Sequence, residues 1–204
     1  MKFNRHWIYP KVRIIHKIIP YVLVGGIISG AYGAIHDQIS YAISPEYFTH
    51  FKFHQFHYAD FGLPNRVFVA IIGFLATWWV GAIVGWFIAR VRFNSDDLTT
   101  ARRDILRGFG IVFGCAVVAF CVGAILGWFM FLRSAVAVGE GGQAITFMGW
   151  ERELSEAILQ RFAMVGVIHN SSYLGGVVGL VVALVVQRRR RKLSIVAGLL
   201  PKSF

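Results

Sequence analysis

The residues most able to do chemistry in this sequence are histidines and carboxylates, and they gather in two places. His36 is followed directly by Asp37 and Gln38, then by Ser44-Pro45-Glu46 and by His50, His54 and His57. Far along the chain, His169 opens the run His169-Asn170-Ser171-Ser172-Tyr173 inside a stretch otherwise built from Val, Leu and Gly. Imidazole and carboxylate together suit Zn, Fe, Mn or Cu, and side chains one helical turn apart can converge on one ion. Polar groups within an apolar helix need partners and are candidates for function. The Glu-x-x-His and His-Glu-x-x-His patterns, Cys-x-x-Cys pairs, phosphate-binding loops and serine-nucleophile motifs are all absent.

The elements that must position these groups are membrane spans. Of the 204 residues, 56% are apolar and only 15% charged, against about 25% charged in an ordinary soluble domain. Several apolar runs exceed the roughly 20 residues that cross a hydrocarbon core. This excludes a soluble globular enzyme, a disordered tail and a disulfide scaffold. Four transmembrane helices are expected, at about 18–35, 67–88, 109–132 and 162–186. They make an all-α, polytopic four-helix bundle forming one membrane domain over residues 1–204. The first span is long for a signal-peptide core and is read as a retained anchor. Cys115 and Cys121 lie six residues apart on the third helix and cannot bridge.

Orientation follows from the basic residues. Sixteen of the 21 Lys and Arg fall in the N-terminal arm, the loop between the second and third spans, and the C-terminal tail with Arg188-Arg189-Arg190-Arg191-Lys192. The positive-inside rule places both termini in the cytoplasm. The basic runs, Arg92 among them, read as topology anchors that touch anionic lipid headgroups rather than nucleic acid. His6 and His16 sit among them as interfacial polar residues. Gly26/Gly30, Gly81/Gly85, Gly123/Gly127 and Gly175/Gly179, each pair four apart, suit close helix packing within the bundle, in a homo-oligomer or in a larger membrane complex.

His36 is 19 residues after Lys17, and His169 is 19 residues before Arg188. At the helical rise both lie roughly 28 Å from the cytoplasmic boundary, so the two imidazoles share one level near the outer surface. Ser44-Pro45-Glu46 reads as a helix start. An interfacial helix over 45–58 would carry Glu46, His50, His54 and His57 within an arc of about 80°, with Tyr47, Phe48, Phe51, Phe53, Phe56 and Tyr58 around the rest. Its polar edge would then lie over the mouth of the bundle. The expected ligand set is His36, Glu46, His54 and His169. Asp37, Gln38, His50, His57, Asn170 and Tyr173 would support it. Glu140 falls in a glycine-rich turn, and Glu151, Glu153 and Glu156 on the solvated face of an outer helix leading into the fourth span.

The segment Ala34-Ile35-His36-Asp37-Gln38-Ile39-Ser40, followed by Ser44-Pro45-Glu46-Tyr47-Phe48-Thr49, resembles one in uncharacterised small bacterial integral membrane proteins. Those have His-Asp-Gln at the end of the first span and Pro-Glu-Tyr-Phe soon after. The resemblance covers about a tenth of the chain and implies a bacterial inner-membrane setting without a catalytic assignment. Three functions fit the residues: a metal site, catalytic or not, at the periplasmic face; a b-type haem held by His36 and His169; or a non-catalytic subunit or assembly factor. Ion conduction fits less well, because the inner half of each span lacks ionisable residues.

Overall fold

The structure is a computed structural model that describes residues 12–93, 98–132, 143–147, 150–154 and 156–196. Four long helices dominate it: α1 (Val12–Ile43), α4 (Asn65–Arg92), α5 (Leu98–Gly127) and α6 (Glu156–Val196). Each contains a stretch long and apolar enough to cross a membrane. All four are longer than the expected spans, although α5 stops at Gly127, short of the expected 132. Hydropathy marks only the apolar centre, whereas backbone hydrogen bonding continues until the sequence stops it. At the end of α1 the stop is Ser44-Pro45. A proline disfavours helical backbone in the residue before it, and Ser44 is extended (φ −142°, ψ 96°). Before α4 the chain turns at Gly62, whose φ of +69° favours glycine.

The segment between α1 and α4 is not the single regular helix expected for 45–58. It is a turn of helix α2 (Pro45–Tyr47), a π-helical turn (Phe48–Lys52), a further turn α3 (Phe53–Gln55) and a 3₁₀ turn (His57–Ala59). A π turn is wider than an α turn, so side chains beyond it rotate away from positions counted at α-helical pitch. The helix start is where the sequence places it, with Pro45 in the first turn. However, the Ser44 hydroxyl donates to the Glu46 carboxylate (3.1 Å) rather than capping a backbone amide.

A second departure follows α5, which passes into a π-helical turn (Trp128–Leu132). The expected helix around Glu151 and Glu153 is instead an antiparallel ribbon of β1 (Gln143–Phe147) and β2 (Trp150–Leu154), with Phe147 opposite Trp150; only Glu156 belongs to a helix, as the first residue of α6. Glu140 and His6 lie outside the described residues.

Contacts divide the chain into two units, and all four long helices contribute to both. One takes in the described parts of Met1–Gly33, Phe74–Cys115 and Gly176–Phe204; the other takes in those of Ala34–Gly73 and Ala116–Gly175. In the first unit, Ile18, Val84, Ile88, Ile105, Phe109 and Ala183 form an apolar core. Here α1 and α4 pack backbone to backbone. A Cβ added at Gly25 would strike the Gly81 carbonyl oxygen, and one added at Gly81 would strike that of Gly25. Beside this contact the Ser29 hydroxyl donates to the Thr77 carbonyl (2.9 Å) and the Thr77 hydroxyl to that of Ser29 (2.7 Å). The close approach uses Gly25 rather than its neighbour Gly26. Gly30 faces the Phe74 ring, Gly85 the Tyr21 backbone, and Gly179 the Val112 backbone. These glycines are thus accounted for by contacts within the chain. Gly81→Ala is expected to cost about 1–3 kcal/mol through overpacking, measurable as a lower unfolding temperature in detergent. An unchanged unfolding temperature would contradict the contact.

The same unit buries a charge network that the basic-residue pattern does not announce. Arg92, counted above as a topology anchor, is 2% exposed and pairs with the buried Asp104 carboxylate. Arg107, one turn along α5, lies 3.5 Å from that carboxylate and Arg190 of α6 lies 4.0 Å from it. The Gln187 amide donates to the Asp104 backbone carbonyl (3.1 Å).

In the second unit, Tyr47 and Phe48 pack with Val69 of α4 and Val165 of α6, flanked by Tyr41, Phe51, Phe53 and Phe162. Large apolar side chains stand exposed along every long helix, among them Leu23, Ile27, Trp79, Val118, Leu174 and Val177. That much apolar surface is unfavourable in water and is what a hydrocarbon solvent accepts.

Candidate metal centre

The site lies wholly within the second unit. His36 and Asp37 are consecutive residues of α1, and His169 and Ser172 stand one turn apart on α6 and so share a face. Gly123 of α5 admits α6 closely: a Cβ there would lie 2.7 Å from the Ser171 side chain and 3.3 Å from the Ile168 backbone. The side chains of His36, Asp37 and His169 are about 95% buried.

A backbone contact fixes the role of one ring nitrogen. The His169 Nδ1 lies 2.9 Å from the Val165 carbonyl oxygen. That oxygen can only accept, so Nδ1 carries a proton and donates it. In a neutral ring Nε2 is then a lone pair. It faces Asp37 Oδ1 at 3.1 Å. His36 presents Nδ1 to the same carboxylate oxygen at 3.0 Å, while its Nε2 meets the Ser172 hydroxyl at 3.2 Å. The three groups offer ligand atoms that lie within 4.8 Å of one another. Ligands held at about 2.1 Å and roughly a right angle around an ion stand about 3 Å apart, close to the two nitrogen–oxygen separations observed.

The His36 Nδ1–H can donate to that oxygen while the Ser172 hydroxyl donates to its Nε2, but the His169 lone pair repels the carboxylate unless a positive charge lies between them. A metal ion would supply that charge, with His36 then turned to its other tautomer, its Nε2–H donating to Ser172, and His169 Nδ1–H donating to Val165. Outer hydrogen bonds of this kind fix the tautomer and ring orientation of metal-ligating histidines. A proton between His169 Nε2 and Asp37 is the other way to satisfy the contact.

Aromatic rings enclose the imidazoles. Tyr47 lies against His169 (centroids 5.0 Å, 31° between planes), Phe120 meets His36 edge-on (5.1 Å, 74°), and the two imidazoles stand perpendicular at 4.6 Å. Burial pushes the Tyr47 phenol up, with Tyr173 and Asp37 adding to the effect, so it remains a protonated donor. Such surroundings lower the local dielectric and strengthen every charge interaction within them.

The residues expected at the site divide clearly. His36 and His169 come together, and Asp37, expected only as a supporting group, stands between them. Glu46 is half-buried with its carboxylate on Ser44. His54 is exposed, and His57, also exposed, directs its Nδ1 at the His54 carbonyl oxygen (3.0 Å). His50 is half-buried in the π turn. The arc that would have gathered these three imidazoles depends on regular α geometry, which the π and 3₁₀ turns break. Gln38 donates to the Arg66 carbonyl (2.7 Å) and ties α1 to α4. Asn170 is exposed, and Tyr173 reaches His169 only at 6.4 Å. Ser172 stands out in the sequence only as part of its polar run, although its spacing from His169 places both on one face. Nothing in the sequence spacing marks Lys52, which is buried beside Phe51 and Phe56.

No family model matches this sequence, and neither a curated protein nor a solved structure shows significant similarity to it.

Proposed function

We propose that this chain is a multi-pass protein of a bacterial inner membrane, with both termini cytoplasmic, that holds a transition-metal ion on His36, Asp37 and His169 near its periplasmic face. The orientation is supported by the concentration of Lys and Arg in the two termini and the middle loop. The ion reading is supported by one observation above all: His169 Nδ1–H is committed to the Val165 carbonyl, so in a neutral ring the opposite nitrogen turns a lone pair toward a buried carboxylate. Two imidazoles and one carboxylate on one side of an ion form the donor set of non-haem iron sites, and Zn or Mn also accept it. Three protein ligands leave positions open, where a bound ion would polarise a substrate group or activate water. A bare ion fits better than haem. Both rings share one carboxylate oxygen at about hydrogen-bond distance, so a macrocycle between them would have to separate that contact.

Protein purified from metal-replete cells is expected to carry close to one equivalent of transition metal by elemental mass spectrometry, and His169→Ala to carry almost none. Metal-free wild-type protein, or unchanged metal in His169→Ala, would overturn the reading.

A further inference from the structure

In the first unit three guanidiniums meet one carboxylate. Arg92 is buried against Asp104, while Arg107 of α5 and Arg190 of α6 approach its Oδ1 atom from half-exposed positions. One carboxylate balances one of these three charges. The other acids of the unit, Asp96 and Asp97, lie outside the described residues. Counting them still leaves the unit strongly positive, with sixteen Lys and Arg against three acidic side chains in its sequence. Since Arg107 and Arg190 stand 3.5 and 4.0 Å from the same oxygen, those two nitrogens are at most about 7.5 Å apart. The two free oxygens of a phosphodiester, each accepting at about 2.8 Å, bridge a gap within that limit, and the planar guanidinium suits phosphate.

The level and the face of this pair suit a lipid. Arg92 and Arg190 end the apolar stretches of α4 and α6, where headgroups replace hydrocarbon. On α5, Arg103, Arg107, Gly110 and Gly114 follow one another at intervals of three or four residues and so share a face. Arg103 and Arg107 are exposed. Below them, a Cβ added at Gly110 or Gly114 would meet no described atom within 4 Å. Gly25, Gly81, Gly85 and Gly179 differ, because neighbouring helices fill the space at each. The strip thus carries arginines at its head and open backbone below, beside the exposed Leu106 and Phe113. That is the polarity of a phospholipid with an anionic head and apolar chains.

We propose that this face binds an anionic phospholipid, with its phosphodiester held between Arg107 and Arg190 and one acyl chain along the strip at Gly110 and Gly114. The proposal assigns to two particular arginines and one helix face what basic residues do generally at a membrane surface. Asp104 is the positioning group that keeps both guanidiniums within reach of one headgroup. The site is independent of the metal reading, whose residues belong to the other unit.

The test uses the full-length protein, purified in detergent and freed of lipid. It is titrated with phosphatidylglycerol or with phosphatidylcholine of the same chains, and bound lipid is counted by native mass spectrometry. The wild type is expected to bind phosphatidylglycerol saturably and at least about tenfold more tightly than phosphatidylcholine. Arg107→Gln with Arg190→Gln should bring the two affinities together. Arg92 remains on Asp104 in that variant, so its unfolding temperature without lipid should stay near that of the wild type. Arg102→Gln with Arg189→Gln removes the same charge from faces about 100° away and should leave binding unchanged. Gly110→Leu keeps every charge, fills the strip and should weaken phosphatidylglycerol binding severalfold. Equal losses in the two double variants would reduce the effect to general attraction and overturn the site. So would equal binding of the two lipids by the wild type. Displacement of phosphatidylglycerol by equimolar inorganic phosphate would also overturn it, by making the arginines a site for a free anion.

Discussion

Asp37→Asn is expected to strip the metal from the protein while leaving the fold intact. Asparagine has the shape of aspartate but offers a neutral oxygen and an N–H donor. Loss of the anionic ligand should weaken metal binding by more than about 100-fold, since even outer hydrogen-bond partners are worth 10–100-fold. In a purely structural network the same change is benign. The new amide N–H can donate to the His169 Nε2 lone pair, which is fixed by the Val165 carbonyl, and so replaces a shared proton with an ordinary hydrogen bond. Metal content and unfolding temperature, measured together, therefore separate the two accounts. Lost metal with a nearly unchanged unfolding temperature supports the metal centre. Metal that persists in Asp37→Asn would sink it.

The largest stability loss is expected at the other unit's charge network. Asp104→Ala leaves the Arg92 guanidinium buried without its carboxylate. Breaking a buried ion pair from one side costs about 3–5 kcal/mol. Arg107 and Arg190 also lose the group they approach, but both are half-exposed and contribute little. Replacing both members, Asp104→Leu with Arg92→Leu, removes the uncompensated charge and is expected to recover most of the loss. Unfolding in detergent would show this as a double variant more stable than the Asp104→Ala single variant. A double variant no better than the single one would mean that Asp104 acts through something other than Arg92.

Much of the architecture is legible in the residues. The four apolar runs mark four helices, and Ser44-Pro45-Glu46 marks the helix start that α2 makes at Pro45. Counting rise from Lys17 and Arg188 sets His36 and His169 at one level, and the structure has their rings in contact. These inferences succeed because they depend on distance along a helix axis, which residue number measures directly.

Rotation about that axis is a different matter. In a soluble helix the polar face reveals which side is buried. Here each span is apolar all round, and lipid is as apolar as a protein core, so composition does not say which face meets a neighbour. The contact of Gly25 with Gly81, the position of Asp37 between two imidazoles and the burial of Arg92 are all decided by such rotations. The π turn at Phe48–Lys52 adds a second uncertainty of the same kind. By changing the number of residues per turn, it leaves His54 and His57 exposed and buries Lys52 among phenylalanines. The amino-acid sequence alone thus determined the four apolar helices and the shared level of the two histidines along them. The carboxylate they share was settled only by how those helices turn toward one another, because that choice is made by side-chain packing between faces of equal hydrophobicity.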